Sequence, residues 1–289
     1  MVQWSHLKTK TLFLMSTFEH LSNGIRLSST DPANVFPNWK GERECWLFVS
    51  PHDDDVILGS GLLFLSAVEA GIKVSACVTT LGDSGYCTPE QRETIASVRR
   101  AETLDSFRIL GLPEDRLFFL NYHDCGLEHY TGHYPAIPGP TTIAGSTGLS
   151  NSFVWLLRHV RPTRVFMPTS TDIHPDHQIV HRELSICAFH AQGSIWPELG
   201  KPLEEIPELY EFSTYSDFPS PPDFRVITSD ALLERKLTGI MAYRSQEQIG
   251  ALIQLHRENG TREYFRHLVF PFLVPGKYNN LFDSTPVRK

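Results

Sequence analysis

The stretch CWLFVSPHDDDVILG, residues 45–59, decides the fold of this chain. Its apolar start, Cys45 to Ser50, predicts a buried strand, and its end, from Val56 onward, predicts a buried helix. Between them lies a turn with one imidazole and three carboxylates, His52 to Asp55. Like charges on adjacent residues repel, and carboxylates beside an apolar core are stable only when they are paired, hydrogen-bonded or bound to a metal. The turn therefore predicts a functional site at the end of a strand.

The same order of strand and helix repeats along the chain. Short runs rich in β-branched and aromatic residues predict strands at Cys45–Val49, Val74–Thr80, Arg116–Leu120, Arg164–Met167 and Leu209–Ser213. The segments between and after them predict helices at 56–70, 89–110, 151–160, 229–243 and 245–259. This alternation is typical of βαβ units with right-handed crossovers. We expect an α/β fold, a Rossmann-like three-layer α/β/α sandwich with a mostly parallel sheet, in a single domain over residues 1–289 with its motifs between about 45 and 265.

Composition argues against several classes of partner. The chain has 289 residues, a net charge of −7 and a pI of about 6.0, with its cations scattered, so we expect no nucleic-acid partner. It has no run of about 18 apolar residues, so we expect no membrane span. The apolar run Leu12–Met15 is too short for the core of a signal peptide. Five cysteines without a C-x-x-C spacing predict no disulfide framework and a reducing, cytoplasmic location.

A second cluster, His174-Pro175-Asp176-His177, follows the fourth predicted strand. Because ligands bind at the carboxyl ends of parallel strands, both clusters should meet at one edge of the sheet. His52, Asp55 and His177 would then offer two imidazole nitrogens and one carboxylate, the ligand set of a catalytic zinc site with one position open for water. A helix N-terminus that favours acids would explain the first cluster alone but not the second.

The remaining residues of the two clusters suit metal-assisted amide hydrolysis. Asp54 is adjacent to a predicted ligand without being one, which makes it the candidate general base, with Asp53 as its competitor. His174 is placed to stabilise an oxyanion or to protonate a leaving amine. Asp176 is the candidate to hold an imidazole in the required tautomer.

Two further segments are predicted to reach the substrate. Gly82-Asp83-Ser84-Gly85 follows the second strand at the same sheet edge, so Asp83 and Ser84 are candidate substrate contacts. The irregular segment 123–150 is expected to form a long loop or lid. Its His129 and His133 leave open a second metal site or a substrate contact, and His181 leaves open a fourth ligand on the helix of His177.

These motifs resemble a known family. Residues 52–56 resemble the His-Pro-Asp-Asp-Glu signature, and residues 174–177 match the His-Pro-Asp-His signature, of the LmbE-like or PIG-L family of zinc-dependent N-acetylglucosamine deacetylases. Weaker matches are Thr79–Gly85, Arg99-x-x-Glu102, Arg161–Pro162, Lys236 and Tyr243–Gln246. The resemblance covers about residues 45–265.

The resemblance implies a function and roles for the residues. The family's metal ligands fall on His52, Asp55 and His177, its general base on Asp54, and its oxyanion or leaving-group histidine on His174. Zn²⁺ is the implied ion, with Fe²⁺ as the alternative. The implied partner is a small-molecule amino sugar or glycoconjugate, which loses its N-acetyl group by hydrolysis, and a homo-oligomer is compatible with the sequence.

Arg99, the arginine of Arg-x-x-Glu, is implied to face the substrate, with a surface ion pair to Glu102 as the plain alternative. The chain departs from the family at Asp53, where the family has Pro, and at Val56, where it has Glu. These departures leave open a metal-retaining sugar-binding or regulatory module without efficient hydrolysis. An amidase that acts on a larger conjugate is a further alternative, since it would share all of the chemistry.

Overall fold

A nine-stranded mixed sheet forms the centre of the molecule. The computed structural model describes residues 16–138 and 141–285. The sheet strands are β1 Thr17–Ser22, β2 Ile25–Ser29, β3 Cys45–Ser50, β4 Lys73–Thr80, β5 Leu117–Tyr122, β8 Arg164–Pro168, β9 Glu208–Phe212, β10 Phe224–Ile227 and β11 Arg262–Leu268. Their order across the sheet is β2-β1-β10-β11-β9-β8-β3-β4-β5. The short strands β6 Tyr134–Pro135 and β7 Ser146–Thr147 form a separate hairpin.

The half of the sheet that carries the two clusters is parallel. Strands β9, β8, β3, β4 and β5 pair in parallel, and these are the five strands predicted from the sequence. Strands β2, β1, β10 and β11 extend the sheet by antiparallel pairing and were not predicted. Strand β2 is exposed along almost its whole length, so it has no buried face that would give an apolar signature.

Helices cover both faces of the parallel half, which confirms the α/β/α sandwich. The helices are α1 Asp55–Glu69, α2 Ile95–Leu110, α3 Leu149–Val160, α4 Pro175–Gln192, α5 Asp230–Ile240, α6 Ile249–Asn259 and α7 Asn279–Asp283. Successive side chains of β3 alternate between the faces. Trp46 and Phe48 join the core under α1, α2 and α5, while Leu47 and Val49 join the core under α3 and α4.

One predicted helix boundary was wrong. The helix expected from residue 89 begins at Ile95, because Pro89–Gln91 forms a separate 3-10 turn. The Gln91 side chain accepts hydrogen bonds from the backbone N–H groups of Cys87 and Thr88, 2.7 and 3.1 Å away. This capping box closes the short turn before the helix starts.

Helix α1, which begins with Asp55, is broken one turn after its start. Ser60 has the non-helical angles φ −144° and ψ 16°. The backbone groups freed by the break bind a buried ion pair from the C-terminal part of the chain. Lys236 Nζ donates to the Leu58 carbonyl at 2.8 Å and to Glu263 Oε1 at 2.7 Å, and Glu263 accepts from the Leu62 N–H at 2.9 Å. The first turn of α1 is therefore held from outside the helix.

Glycines flank this break because neighbours come too close for a side chain. A Cβ on Gly59 would lie 2.4 Å from Phe212 Cδ2, and a Cβ on Gly61 would lie 3.2 Å from the Lys236 side chain. Glycine at both positions lets the broken helix pack directly on β9 and on the ion pair.

The helices and cysteines bear on the sequence predictions about membrane spans and disulfides. No helix within the described ranges, 16–138 and 141–285, is long and apolar enough to cross a bilayer. All five cysteines are free thiols. The predicted absence of a signal-peptide core at Leu12–Met15 concerns residues outside the described part of the chain.

Candidate metal and catalytic site

Three side chains converge at the carboxyl ends of the adjacent strands β3 and β8. His52 Nδ1 lies 3.2 Å from Asp55 Oδ2, and His177 Nε2 lies 3.3 Å from both Asp55 Oδ1 and His52 Nδ1. Zinc bonds of about 2.0–2.1 Å in a tetrahedron place neighbouring ligand atoms about 3.3 Å apart. The two imidazole nitrogens have the spacing of ligands of one such ion, and each oxygen of Asp55 faces one of them.

The charges within this trio also suit a cation. Asp55 is fully buried, and its Oδ1 has no hydrogen-bond partner. Burial alone would raise the pKa of Asp55, but the His177 and His52 rings beside it hold the pKa well below its usual range. Burial alone would lower the pKa of His177, but Asp55 and a hydrogen bond that the ring donates to Asp172 raise it to about 9. The buried carboxylate therefore requires positive charge beside it, which protons on the rings or a metal ion can provide.

Each of the two imidazoles is backed by a carboxylate. Asp176 Oδ2 lies 3.3 Å from His52 Nε2 and also accepts from the Cys125 N–H at 2.7 Å. Asp172 Oδ2 lies 3.3 Å from His177 Nδ1. Both carboxylates are buried, so they fix the orientation and the tautomer of the rings. The sequence pointed to Asp176 for this task but not to Asp172, for which its position two residues before His174 was the only signal.

Asp54 lies beside the trio without joining it. Its Oδ2 accepts a hydrogen bond of 2.5 Å from Gln246 Nε2, and both residues are buried. Burial and the neighbouring Asp55 raise the pKa of Asp54. A carboxylate with a raised pKa at the edge of a polar cleft is suited to accept a proton. Gln246 was not singled out as a functional residue from the sequence.

His174 faces the same space from the opposite side. It is the N-cap of α4, and its Nδ1 accepts from the Asp176 N–H at 3.2 Å, so Nε2 is the nitrogen left for other partners. Burial and His52 lower its pKa. A ligand atom of His174 also lies within 4.8 Å of those of His52 and His177, which makes it the alternative third ligand. The shorter spacings to Asp55 favour the carboxylate in that position.

Arg99 is paired with Asp53, one of the two residues that depart from the family signature. Arg99 Nη1 lies 3.3 Å from Asp53 Oδ2, and both side chains are buried. Burial and Asp54 raise the pKa of Asp53 to about 7, while Arg99 opposes the shift. The alternative pairing of Arg99 with Glu102 was wrong, because Glu102 accepts from Ser245 instead.

The Gly82–Gly85 loop packs on Arg99. A Cβ on Gly82 would lie 3.1 Å from Arg99 Cβ. Asp83 points away from the substrate space, since its carboxylate binds His123 Nδ1 at 2.6 Å and the Asp124 N–H at 2.9 Å. Of the two predicted substrate contacts in this loop, Ser84 lines the cleft and Asp83 instead holds the loop to residues 123–124.

These groups surround a cleft of about 170 Å³. Among the described residues it is lined by His52, Asp53, Asp54, Gly82, Ser84, Gly85, Arg99, Asp124, Cys125, His174, Tyr215, Gln246 and Gln248. From the predicted lid, residues 123–150, only Asp124 and Cys125 of the described part contribute. His133 stacks on Trp196 with ring centroids 4.5 Å apart, and His181 pairs with Glu211 at 2.7 Å, so neither joins the trio.

Comparisons with known proteins agree with the sequence motifs. The family described as PIG-L, GlcNAc-PI de-N-acetylase, matches residues 47–188. The probable N-acetyl-alpha-D-glucosaminyl L-malate deacetylase 2 of Bacillus cereus is 25% identical over 211 residues, 70% of this chain and 83% of the relative. The 1D-myo-inositol 2-acetamido-2-deoxy-alpha-D-glucopyranoside deacetylase of Streptomyces scabiei is 26% identical over 173 residues, 55% of this chain. The match spans only 52% of that relative's length.

Solved structures show the same fold. The N,N'-diacetylchitobiose deacetylase of Pyrococcus horikoshii superposes with a TM-score of 0.63, over 81% of this chain and 88% of that chain, at 22% identity. The segment matched by the family contains both clusters, from His52 to His177. The family resemblance is thus confirmed, with residues 47–188 of the chain matching the PIG-L family.

Proposed function

We propose that this protein is a metal-dependent N-deacetylase that hydrolyses the acetamide of an N-acetylglucosamine-type sugar or glycoconjugate. The observation that carries the proposal is the convergence of His52, Asp55 and His177 within 3.3 Å of one another, with the buried carboxylate of Asp54 beside them in the cleft. The relatives named above, which are deacetylases of acetamido-glucose compounds, support the substrate class.

The donor set fits a divalent metal. His52, Asp55 and His177 would hold the ion, and the buried Oδ1 of Asp55 without a hydrogen bond is a free ligand atom. Zn²⁺ suits two imidazoles and one carboxylate, with Fe²⁺ as the alternative. When bound, zinc supplies a Lewis acid and lowers the pKa of water to about 7.

Asp54 and His174 have complementary roles in the proposed reaction. Asp54, held by Gln246, takes a proton from the water whose oxygen forms the new bond to the acetyl carbon. His174 donates from Nε2 to the carbonyl oxygen as negative charge develops there. The carbon–nitrogen bond then breaks, a proton is delivered to the amine by Asp54 or His174, and acetate and a free amino sugar leave.

The test is a pair of isosteric variants. Asp54→Asn should retain metal in full, because Asp54 is not a ligand, and should lose about 10²- to 10⁴-fold in kcat, the usual contribution of a general base. The matched control is Asp115→Asn, an exposed aspartate outside the cleft. Metal content and acetate release from N-acetyl sugars are the two measurements. An Asp54→Asn variant with full turnover would contradict the assignment of the base.

The two rival functions keep this fold; the binding module differs from the proposal in turnover and the amidase in its substrate. Of the two departures from the family, Val56 lies in the apolar core under α1 and does not line the cleft, which leaves Asp53 as the only departure at the site. If metal is bound but no member of a panel of N-acetyl sugars releases acetate, the result would favour the binding module or the amidase.

A cytoplasmic location, a small-molecule partner and a homo-oligomeric state remain predictions. The five free thiols support the first of these.

A further inference from the structure

A second cavity lies against the catalytic cleft. It has a volume of about 390 Å³, and Tyr215 lines both spaces. The segment 246–256 also runs along both, with Gln246 and Gln248 on the cleft and Leu252 and Leu255 on the cavity. Tyr215 and this segment therefore place the cavity next to the cleft, on the side of α6.

The sizes of the two spaces indicate different tasks. Sites for small organic ligands usually have volumes of about 300–1,000 Å³. The cleft, at about 170 Å³, is smaller than that range, whereas the second cavity, at about 390 Å³, lies within it. A cleft of this size suits the reacting end of a substrate and leaves the rest of a larger conjugate to bind elsewhere.

The lining of the second cavity is mixed, with Ser213, Thr214, His256 and Asn259 among its polar residues, and its apolar part offers a place for an apolar group. Phe218, Leu252 and Leu255 contribute apolar side chains, and the ring of Tyr215 stands at the boundary with the cleft. Lys236 also lines the cavity, but its ammonium group is engaged.

The partners of that ammonium group are buried. Its charge is matched by Glu263 Oε1 at 2.7 Å, and it donates as well to the Leu58 carbonyl at 2.8 Å. At the surface, the exposed Asp217 and Arg262 contribute one charge of each sign, so the lining carries no excess of positive charge for a phosphate or carboxylate.

We propose that this cavity is a subsite for an aromatic or alkyl group attached to the amino sugar, with Tyr215 as the platform between the two parts of the substrate. The inference rests on the proposed deacetylase function and deepens it, because it identifies the substrate as a glycoconjugate with an apolar aglycone. Tyrosine is suited to the boundary because it offers an apolar ring face and a polar tip.

The experiment compares the methyl and phenyl glycosides of N-acetylglucosamine as substrates of the metal-loaded enzyme. We expect kcat/KM to be about tenfold higher for the phenyl glycoside, which is about 1.4 kcal/mol, because burial of apolar surface favours binding. The Leu255→Ala and Phe218→Ala variants should each bring the phenyl-to-methyl ratio closer to one. The control is Leu273→Ala, which removes an exposed leucine that lines neither space and should leave the ratio unchanged.

Binding of the products separates this inference from the function on which it rests. Calorimetry with the methyl and phenyl glycosides of glucosamine measures the affinity directly and needs no turnover. Tighter binding of the phenyl compound, weakened in Leu255→Ala, would support the subsite. Equal affinities, or a ratio of kcat/KM that the variants do not change, would overturn it even if both glycosides are deacetylated. Release of acetate from neither glycoside would overturn the deacetylase function, and calorimetry would then decide on the subsite alone.

Discussion

The carboxylate beside His177 gives the sharpest prediction for the proposed metal site. Asp172 Oδ2 lies 3.3 Å from His177 Nδ1, and the Asp172 side chain is fully buried. In the unmodified protein, Asp172 Oδ1 accepts a hydrogen bond from the His174 N–H at 3.0 Å. The Asp172→Asn side chain has the same shape and keeps one oxygen, which can still accept this hydrogen bond. The amide NH₂ group would then face His177, where it cannot accept the Nδ1 proton, so the tautomer with a free Nε2 loses its support.

The expected loss follows from this contact. Removal of a carboxylate that supports a ligand histidine usually lowers metal affinity by 10- to 100-fold, which is about 1.4–2.8 kcal/mol. Asp176→Asn should act through His52 by a similar amount, because Asp176 stands in the same relation to that ring. We expect neither variant to change the metal stoichiometry.

Competition for Zn²⁺ with a chromogenic chelator at neutral pH measures this loss, with Asp115→Asn as the exposed control. Circular dichroism shows that each variant is folded before the titration. An affinity for Asp172→Asn within about threefold of the control would refute the reasoning. Packing, rather than the carboxylate, would then orient His177.

Two further predictions concern groups around α1 and α2. Burial and Lys236 lower the pKa of His256 to about 3, so between pH 3 and about 6.5 the unfolded chain binds a proton at this residue that the folded protein does not. The contribution of His256 to the free energy of unfolding should therefore be fully present above pH 6.5, and it should decrease as the pH falls below 6.5, by up to about 1.4 kcal/mol per pH unit. The His256→Asn variant should show a smaller dependence of the free energy of unfolding on pH, measured by urea unfolding. The same dependence in the variant and in the unmodified protein would contradict the assignment. Arg99→Ala should destabilise the protein by about 3–5 kcal/mol because it leaves Asp53 buried without its cation. The double variant Asp53→Asn, Arg99→Met should recover much of this loss, and a cost below about 1 kcal/mol for Arg99→Ala alone would show that the pair contributes little.

The parallel half of the sheet and the ligand trio were accessible from the sequence for one physical reason. Buried parallel strands are continuous apolar runs, and their carboxyl ends meet at one edge, so His52 and His177 can be brought together without a structure. The antiparallel half lacked that signal. Strand β2 has no buried face and β10 has four residues, so side-chain pattern alone does not distinguish these two from loops.

The supporting residues of the site were harder to predict. Gln246 donates a hydrogen bond to Asp54, although the two residues are 192 positions apart in the sequence. Arg99 and Asp53, which form an ion pair, are 46 positions apart. Contacts of this kind depend on how loops close over the sheet edge, for which residue spacing carries no information. Asp83 was predicted to contact the substrate because it follows a strand at the same sheet edge. Its carboxylate instead binds His123 and the Asp124 N–H and so holds a loop in place.

The break in helix α1 bears on how the protein can be divided. The family match ends at residue 188, yet Lys236 and Glu263, which bind the Leu58 carbonyl and the Leu62 N–H at the break, come from beyond it. A fragment cut at the end of the matched segment would leave those buried backbone groups without partners, one turn away from Asp55. We therefore expect the matched segment not to fold as a separate module, and a fragment that holds the proposed metal ligands in place to continue through β11.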